Sequence, residues 1–284
     1  MIRFTNFFRW GCVLVVALSS PMARSVEVPV APPPLQGIFY QPGGELKDDP
    51  EGRCRLDIRL PEDSNNFATL IWFHGGGLTG GNRDFPKYAG KDIAHVSAGY
   101  RLSPQVPSPV FIEDAAAAVA WTLKNIADYG GDPKKVFVGG HSAGGYLSLM
   151  IGMDARWLKP HGFSPADLAG ILPVSAQVTT HFHVKELRGS TASSLVPVVD
   201  EFAPLHFVSK DLPPICLITG DRRIEFPCRV EENELMAATL RKLGHPHIEF
   251  HELENLNHGT VSNGAAAVMP GFIDRILTSP EKSR

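Results

Sequence analysis

Ser142 lies in the run Gly140-His141-Ser142-Ala143-Gly144-Gly145, a G-x-S-x-G. A serine hydroxyl is a weak nucleophile. It attacks an acyl carbon efficiently only when a base takes its proton and N–H donors receive the charge that develops on the carbonyl oxygen. The flanking glycines suit a serine held on a sharp strand-to-helix turn, where side chains on the neighbours would clash. The chemistry this spacing points to is acyl transfer through a covalent intermediate, and the chain must then supply donors, a base and an acid.

Donors are offered by His74-Gly75-Gly76-Gly77, a glycine run that bares its backbone amides. With the serine turn, it predicts an oxyanion hole built from the amides of Gly76, Gly77 and Ala143. His74 itself reads as a residue that braces the loop. Of the eleven histidines, His258 is the expected base. It follows the last strand-like run, is flanked by Asn257 and Gly259, and comes after both acid candidates, in the chain order Ser…acid…His. The acid should lie just after the run Ile215–Thr219, where Gly-x-x-Asp is the usual form. Here Gly220-Asp221-Arg222-Arg223 puts an arginine at that position. Asp221 stands two residues before it and Glu225 two residues after it, and either could orient the imidazole. Glu113-Asp114 precedes the serine and reads as a structural pair at a helix start. His181-Phe182-His183 has no cysteine or clustered carboxylate to complete a metal site, so no metal is expected.

Elements of the right kind surround these residues. Val136–Val138 reads as a buried strand entering the serine turn, and Tyr146–Met153 as the helix leaving it. Phe67–Phe73 is a continuous apolar strand that ends in the glycine run. Arg53–Leu60 alternates, as a strand with one wet face does, and Ile93–Ser97, Leu168–Val174, Ile215–Thr219 and Ile248–Leu253 supply further strands. Helices are expected over Glu113–Tyr129, Glu231–Leu243 with Gly244 as its stop, and Ala265–Leu277. Strands alternating with helices at this spacing predict a mostly parallel sheet covered on both faces. Residues 177–213 show no clean period and read as a small lid. Residues 26–51 carry so much proline and glycine that an irregular wrapping arm is expected there.

The chain has 284 residues, 43% of them hydrophobic, enough for one α/β domain with a full core. Its net charge is −3 with both signs dispersed, and no basic run points to nucleic acid. Arg3 and Arg9 precede the apolar segment Trp10–Leu18, followed by small residues. That is the pattern of a secretory signal peptide over residues 1–25, cleaved after Ser19 or Ser25, and it is too short to span a bilayer. Removing it moves the net charge to −6 and leaves Cys54, Cys216 and Cys228. Cys216, within an apolar run, reads as a small buried hydrophobe. The expected organisation is a signal peptide (1–25), an arm (26–51), a catalytic domain (52–279) and a short tail (280–284), exported and without stable membrane insertion.

His74-Gly75-Gly76-Gly77, Tyr100-Arg101-Leu102-Ser103-Pro104, Asp114-Ala115-Ala116, Gly131-Asp132-Pro133, Gly140–Gly145 and Asn257-His258-Gly259 occur in that order. Together they make residues 52–278 resemble α/β-hydrolases of the hormone-sensitive-lipase-like esterase group, on the branch with acetyl-xylan esterase-like, feruloyl esterase-like and kynurenine-formamidase-like enzymes. The resemblance implies an eight-stranded sheet, a Ser-acid-His triad, no cofactor and a small-molecule or polysaccharide-linked ester as substrate. About 40 residues between the strand 168–174 and the acid loop leave room for a small lid and predict short acyl groups. The same triad would serve an amide or formamide hydrolase, and a non-catalytic binding scaffold is the reading from another class.

Overall fold

The computed structural model describes Met1 and residues 33–279 apart from 42, 45, 63, 64, 89 and 91. Contacts divide the chain after Val30, and the unit from Ala31 onward carries the sheet and its helices. The expected signal peptide, the first residues of the arm and the tail lie outside the described residues.

Eight strands form one sheet: β1 (Leu35–Phe39), β2 (Arg55–Arg59), β3 (Phe67–Phe73), β4 (Ala94–Ala98), β5 (Gly131–His141), β6 (Gly170–Val174), β7 (Ile215–Thr219) and β8 (Ile248–Glu252). Their order is β1-β2-β4-β3-β5-β6-β7-β8. β1, β2 and β4 pair antiparallel, and every pair from β4 to β8 is parallel. The helices are α1 (Val110–Asn125), α2 (Ala143–Met153), α3 (Ala155–Leu158), α4 (Phe182–Leu187), α5 (Arg229–Leu243) and α6 (Val261–Thr278). Among the described residues no helix is long and apolar enough to cross a membrane.

The period of two in the central strands distributes side chains to two cores. Ile71 and Phe73 of β3 face α1, α2 and α5, with Phe111, Leu147 and Leu240. Leu70 and Trp72 face the other way, onto Val261, Ala265, Met269 and Phe272 of α6. Strands covered on both sides are buried at every position, as β3, β4, β6 and β7 are, and so mostly apolar, with Thr69, His95 and Ser97 among the buried polar exceptions. Parallel strands all end at the same edge of the sheet, so the loops after β3, β5, β7 and β8 gather there.

The arm departs from expectation. Residues 35–39 form the edge strand β1, pairing Ile38 with Leu56 and Phe39 with Arg55. Pro32–Pro34 and Gly43–Gly44 punctuate both sides of this short stretch, and its regularity comes from β2, a partner distant in sequence. The helix expected over 113–129 is α1 followed by a 3-10 turn over Ile126–Tyr129. Gly244 closes α5 in the left-handed conformation, its N–H donating to the carbonyls of Leu240 and Arg241. Asp114 lies buried in α1 and receives Arg101 through its backbone N–H, its Nε and one terminal guanidinium nitrogen, and also the amide of Gln41. It ties the loop after β4 to the first helix.

Candidate active site

Ser142 stands between β5 and α2 at φ 56°, ψ −116°. A side chain there is strained unless the surroundings over-determine it. Ser142 N–H donates to Val174 O at 2.8 Å and Tyr146 N–H returns to Ser142 O at 2.9 Å, so both ends of the turn are held. Close packing does the rest. A Cβ on Gly144 would lie 2.0 Å from Phe73 O, so only glycine lets α2 approach the end of β3.

His258 comes from the loop after β8. Its Nε2 is 2.9 Å from Ser142 Oγ, and its Nδ1 is 2.7 Å from Glu225 Oε1. The His258 side chain keeps 29% of its surface exposed while the Glu225 carboxyl is fully covered. Burial by itself would raise the Glu225 pKa. Hydrogen bonds from His258 and from the amides of Phe226 (2.7 Å) and Gly220 (3.0 Å) outweigh it and hold the group below the usual carboxylate range.

Of the two carboxylates the sequence left open, Glu225 is the one beside His258. Asp221 is turned away. It receives the amide of Asn255 and both the backbone and guanidinium of Arg223, and these bonds lower its pKa. The reason is a single turn of chain: the N–H groups of Ile224 and Glu225 both return to Asp221 O, at 2.9 and 2.8 Å. That turn carries Glu225 back over the end of β7, where its longer side chain reaches the imidazole.

The glycine run curls so that Thr79 and Gly80 donate to Gly76 O. Gly76 adopts φ +113°, and a Cβ there would lie 2.2 Å from Gly80 O. Tyr100 braces the run, stacking on His74 at 4.4 Å and donating its hydroxyl to His74 O. Among the described residues, no protein acceptor takes the N–H of Gly76, Gly77 or Ala143. Phe182 of α4 sits over this loop, 3.5 Å from where a Cβ of Gly77 would stand. Buried Lys185 donates to the carbonyls of Ser193, Ser194 and Val196 and so ties down the lid segment.

Three contributors escaped the sequence reading. His141 Nε2 donates to His258 O at 2.8 Å, and burial lowers the His141 pKa to about 4, keeping the ring neutral. Ser175, just after β6 at φ +48°, places its Oγ 2.9 Å from His258 Nδ1. Buried Arg229 then donates to Ser175 O at 3.1 Å. Nothing local in sequence marks Ser175 or Arg229, because each acts across more than fifty residues; His141 had at least its place beside the serine.

His181 and His183 serve α4 locally. The N–H of His183 donates to His181 Nδ1, and His183 Nδ1 meets Glu186. Among the described residues, Cys216, Glu249 and His251 bring three possible ligand atoms within 4.8 Å of one another. Arg275 already binds Glu249 through two nitrogens, and burial raises the Cys216 pKa, which makes the group an ion-pair cluster beside a protonated thiol. Cys54 and Cys216 are buried, Cys228 is exposed, and all three are free thiols.

A parallel sheet flanked on both faces, with a strained serine at the end of a central strand, is the architecture of an α/β-hydrolase. The chain belongs to that family: its α/β-hydrolase fold matches residues 70–262. Among its relatives, the Mycobacterium tuberculosis esterase LipQ is 29% identical over 183 residues, 57% of this chain and 42% of LipQ. The carboxylesterase NlhH from the same organism is 36% identical over 115 residues, 37% of this chain and 36% of NlhH. The chain thus spans less than half the length of these curated relatives. A truncated carbohydrate esterase from gut microbiota shares the fold with a TM-score of 0.68 at 18% identity, over 88% of this chain and 98% of its own. The propionate-bound esterase 2 of Thermogutta terrifontis does so with a TM-score of 0.66 at 20% identity, over 84% of this chain and 93% of its own.

Proposed function

We propose that this protein is a serine carboxylic-ester hydrolase acting on short-acyl esters. The observation that carries the reading is the unbroken line Ser142 Oγ–His258–Glu225, at 2.9 and 2.7 Å. His258 Nε2 takes the serine proton as Oγ attacks the ester carbonyl. The amides of Gly76, Gly77 and Ala143 receive the oxyanion. His258 then passes its proton to the leaving alcohol, and water attacks the acyl-enzyme with the same base in reverse. Glu225 keeps the imidazole in the tautomer that presents Nε2 to the serine and stabilises the imidazolium. Relatives that carry the names esterase and carboxylesterase support the same assignment.

Phe182, 3.5 Å from where a Cβ of Gly77 would stand, narrows the space beside the glycine run and favours acetyl-sized groups. The test is direct. A fluorophosphonate probe labels the wild type and not Ser142→Ala, whose hydrolysis of p-nitrophenyl acetate falls on the order of 10⁴-fold or more. Labelling of the variant, or unchanged turnover, overturns the assignment. In a p-nitrophenyl ester series, rates fall beyond butyrate; faster octanoate hydrolysis defeats the short-acyl reading. The activity belongs outside the cytoplasm, on the strength of Arg3, Arg9 and the apolar run Trp10–Leu18, and fractionation of cells expressing the full chain checks it.

A further inference from the structure

The first turn of α5 grips the segment that follows β6. Arg229, Glu232 and Asn233 stand at i, i+3 and i+4, one face of a helix. Arg229 donates a guanidinium N–H to Ser175 O at 3.1 Å, and Asn233 donates its amide to Ala176 O at 2.8 Å. Glu232 accepts the N–H of Val178 at 3.2 Å and the hydroxyl of Thr179 at 3.1 Å. The same helix begins just past Glu225. One rigid element therefore sets where Ser175 and Glu225 stand relative to each other. That relation matters because both meet one atom: Glu225 Oε1 lies 2.7 Å and Ser175 Oγ 2.9 Å from His258 Nδ1.

Ser175 cannot hold this place by itself. It adopts φ +48°, a left-handed conformation that a serine keeps only where its surroundings impose it. Ile218 O fixes its N–H at 2.7 Å through the sheet, and Arg229 fixes its carbonyl from the helix side. A guanidinium is an unexpected choice for that bond. Arg229 is 4% exposed, and among the described residues its side chain makes this one hydrogen bond and no ion pair. The charges of Glu232 and Glu225 act on it through space. It also lies 5.5 Å from the centre of the Phe226 ring, which in turn is 5.7 Å from the His258 ring. Taking a charge out of water costs more than one bond to a carbonyl returns, so a neutral side chain would serve a purely structural tie better. What arginine adds is a planar, permanently charged donor on the side of His258 that faces its acid.

We propose that Arg229 is a positioning residue of the triad. It acts through Ser175, whose hydroxyl it holds against His258 Nδ1 so that the imidazole stays aligned with Ser142 during proton transfer. The proposal rests on the ester-hydrolase reading above, and the experiment separates the two. kcat and KM for p-nitrophenyl acetate are measured for Arg229→Met, Arg229→Lys, Ser175→Ala and the double variant Arg229→Met/Ser175→Ala, with Tm as the check on folding. Arg229→Met lowers kcat by about five- to tenfold, the effect of roughly one net hydrogen bond, and leaves KM within about twofold. Arg229→Lys keeps a charged donor and recovers much of that loss. In the double variant kcat falls no further than in Ser175→Ala, because the residue through which Arg229 acts has gone. A merely structural role lowers Tm and gives losses that multiply. Multiplied losses, a loss carried by KM, Arg229→Lys as slow as Arg229→Met, or wild-type kcat in Arg229→Met overturn the positioning role. If Arg229→Met does not fold, Arg229→Gln is read in its place by the same criteria. No hydrolysis by the wild type, with no fluorophosphonate labelling of Ser142, overturns the hydrolase reading instead.

Discussion

Glu225 and Asp221 are one turn of chain apart, and substituting each has a different expected result. Glu225→Gln removes the negative partner of the imidazole and lowers kcat by about 10²–10⁴-fold with little change in KM. Asp221→Asn weakens the loop through Arg223 and Asn255 and leaves kcat within a few fold. Steady-state kinetics on both variants check this, and the opposite pattern would put the triad acid at Asp221. Ser175 offers a second acceptor to the N–H that Glu225 already holds. Ser175→Ala removes that acceptor while Glu225 keeps its own, so kcat should fall by far less than in Glu225→Gln with KM nearly unchanged, which steady-state kinetics check.

The turn from β5 into α2 depends on how closely the helix meets the sheet. Gly144→Ala drives a methyl to 2.0 Å from the backbone oxygen of Phe73, which cannot give way without shifting β3. Gly152→Ala, in the same helix, meets the end of the Ile171 side chain, the nearest atom at 2.4 Å, which a rotamer change can relieve. Urea unfolding should therefore find Gly144→Ala destabilised by about 3 kcal/mol or more and Gly152→Ala by about 1 kcal/mol or less. Gly144→Ala should also lose turnover, because the same shift displaces the amide of Ala143 and the glycine run after β3.

Acid should weaken the whole fold before it titrates most carboxylates. Burial is the main cause lowering the pKa of His74, His95 and His141 to about 4 each. Below the unfolded value of about 6.5 the unfolded chain takes up protons that these rings refuse. Stability is thus fully present above that value and is lost as pH falls toward 4, by about 1.4 kcal/mol per histidine per pH unit. Glu225, held low, adds a loss only at still lower pH, as it protonates through its folded value. His95 sits on β4 with its Nδ1 buried and unpartnered, so His95→Leu should flatten the fall of Tm between pH 6.5 and 4.5 and keep activity at pH 7. An unchanged slope would mean that this ring is protonated in the folded protein.

Local sequence determines a good deal here. Apolar period and glycine punctuation mark β3, β5, α2, α5 and α6, and with them Ser142, the bare-amide loop and His258, because each signal is carried within a few residues. Tertiary structure decided what depends on pairing across the chain. β1 exists because β2 offers it an edge, Glu225 rather than Asp221 meets the imidazole because one hydrogen-bonded turn redirects its side chain, and Ser175, His141 and Arg229 act across loops that only the folded sheet brings together. Periodicity reports which face of an element is buried. It does not report which partner a polar atom will meet, since that is set by distances between segments that the chain leaves far apart.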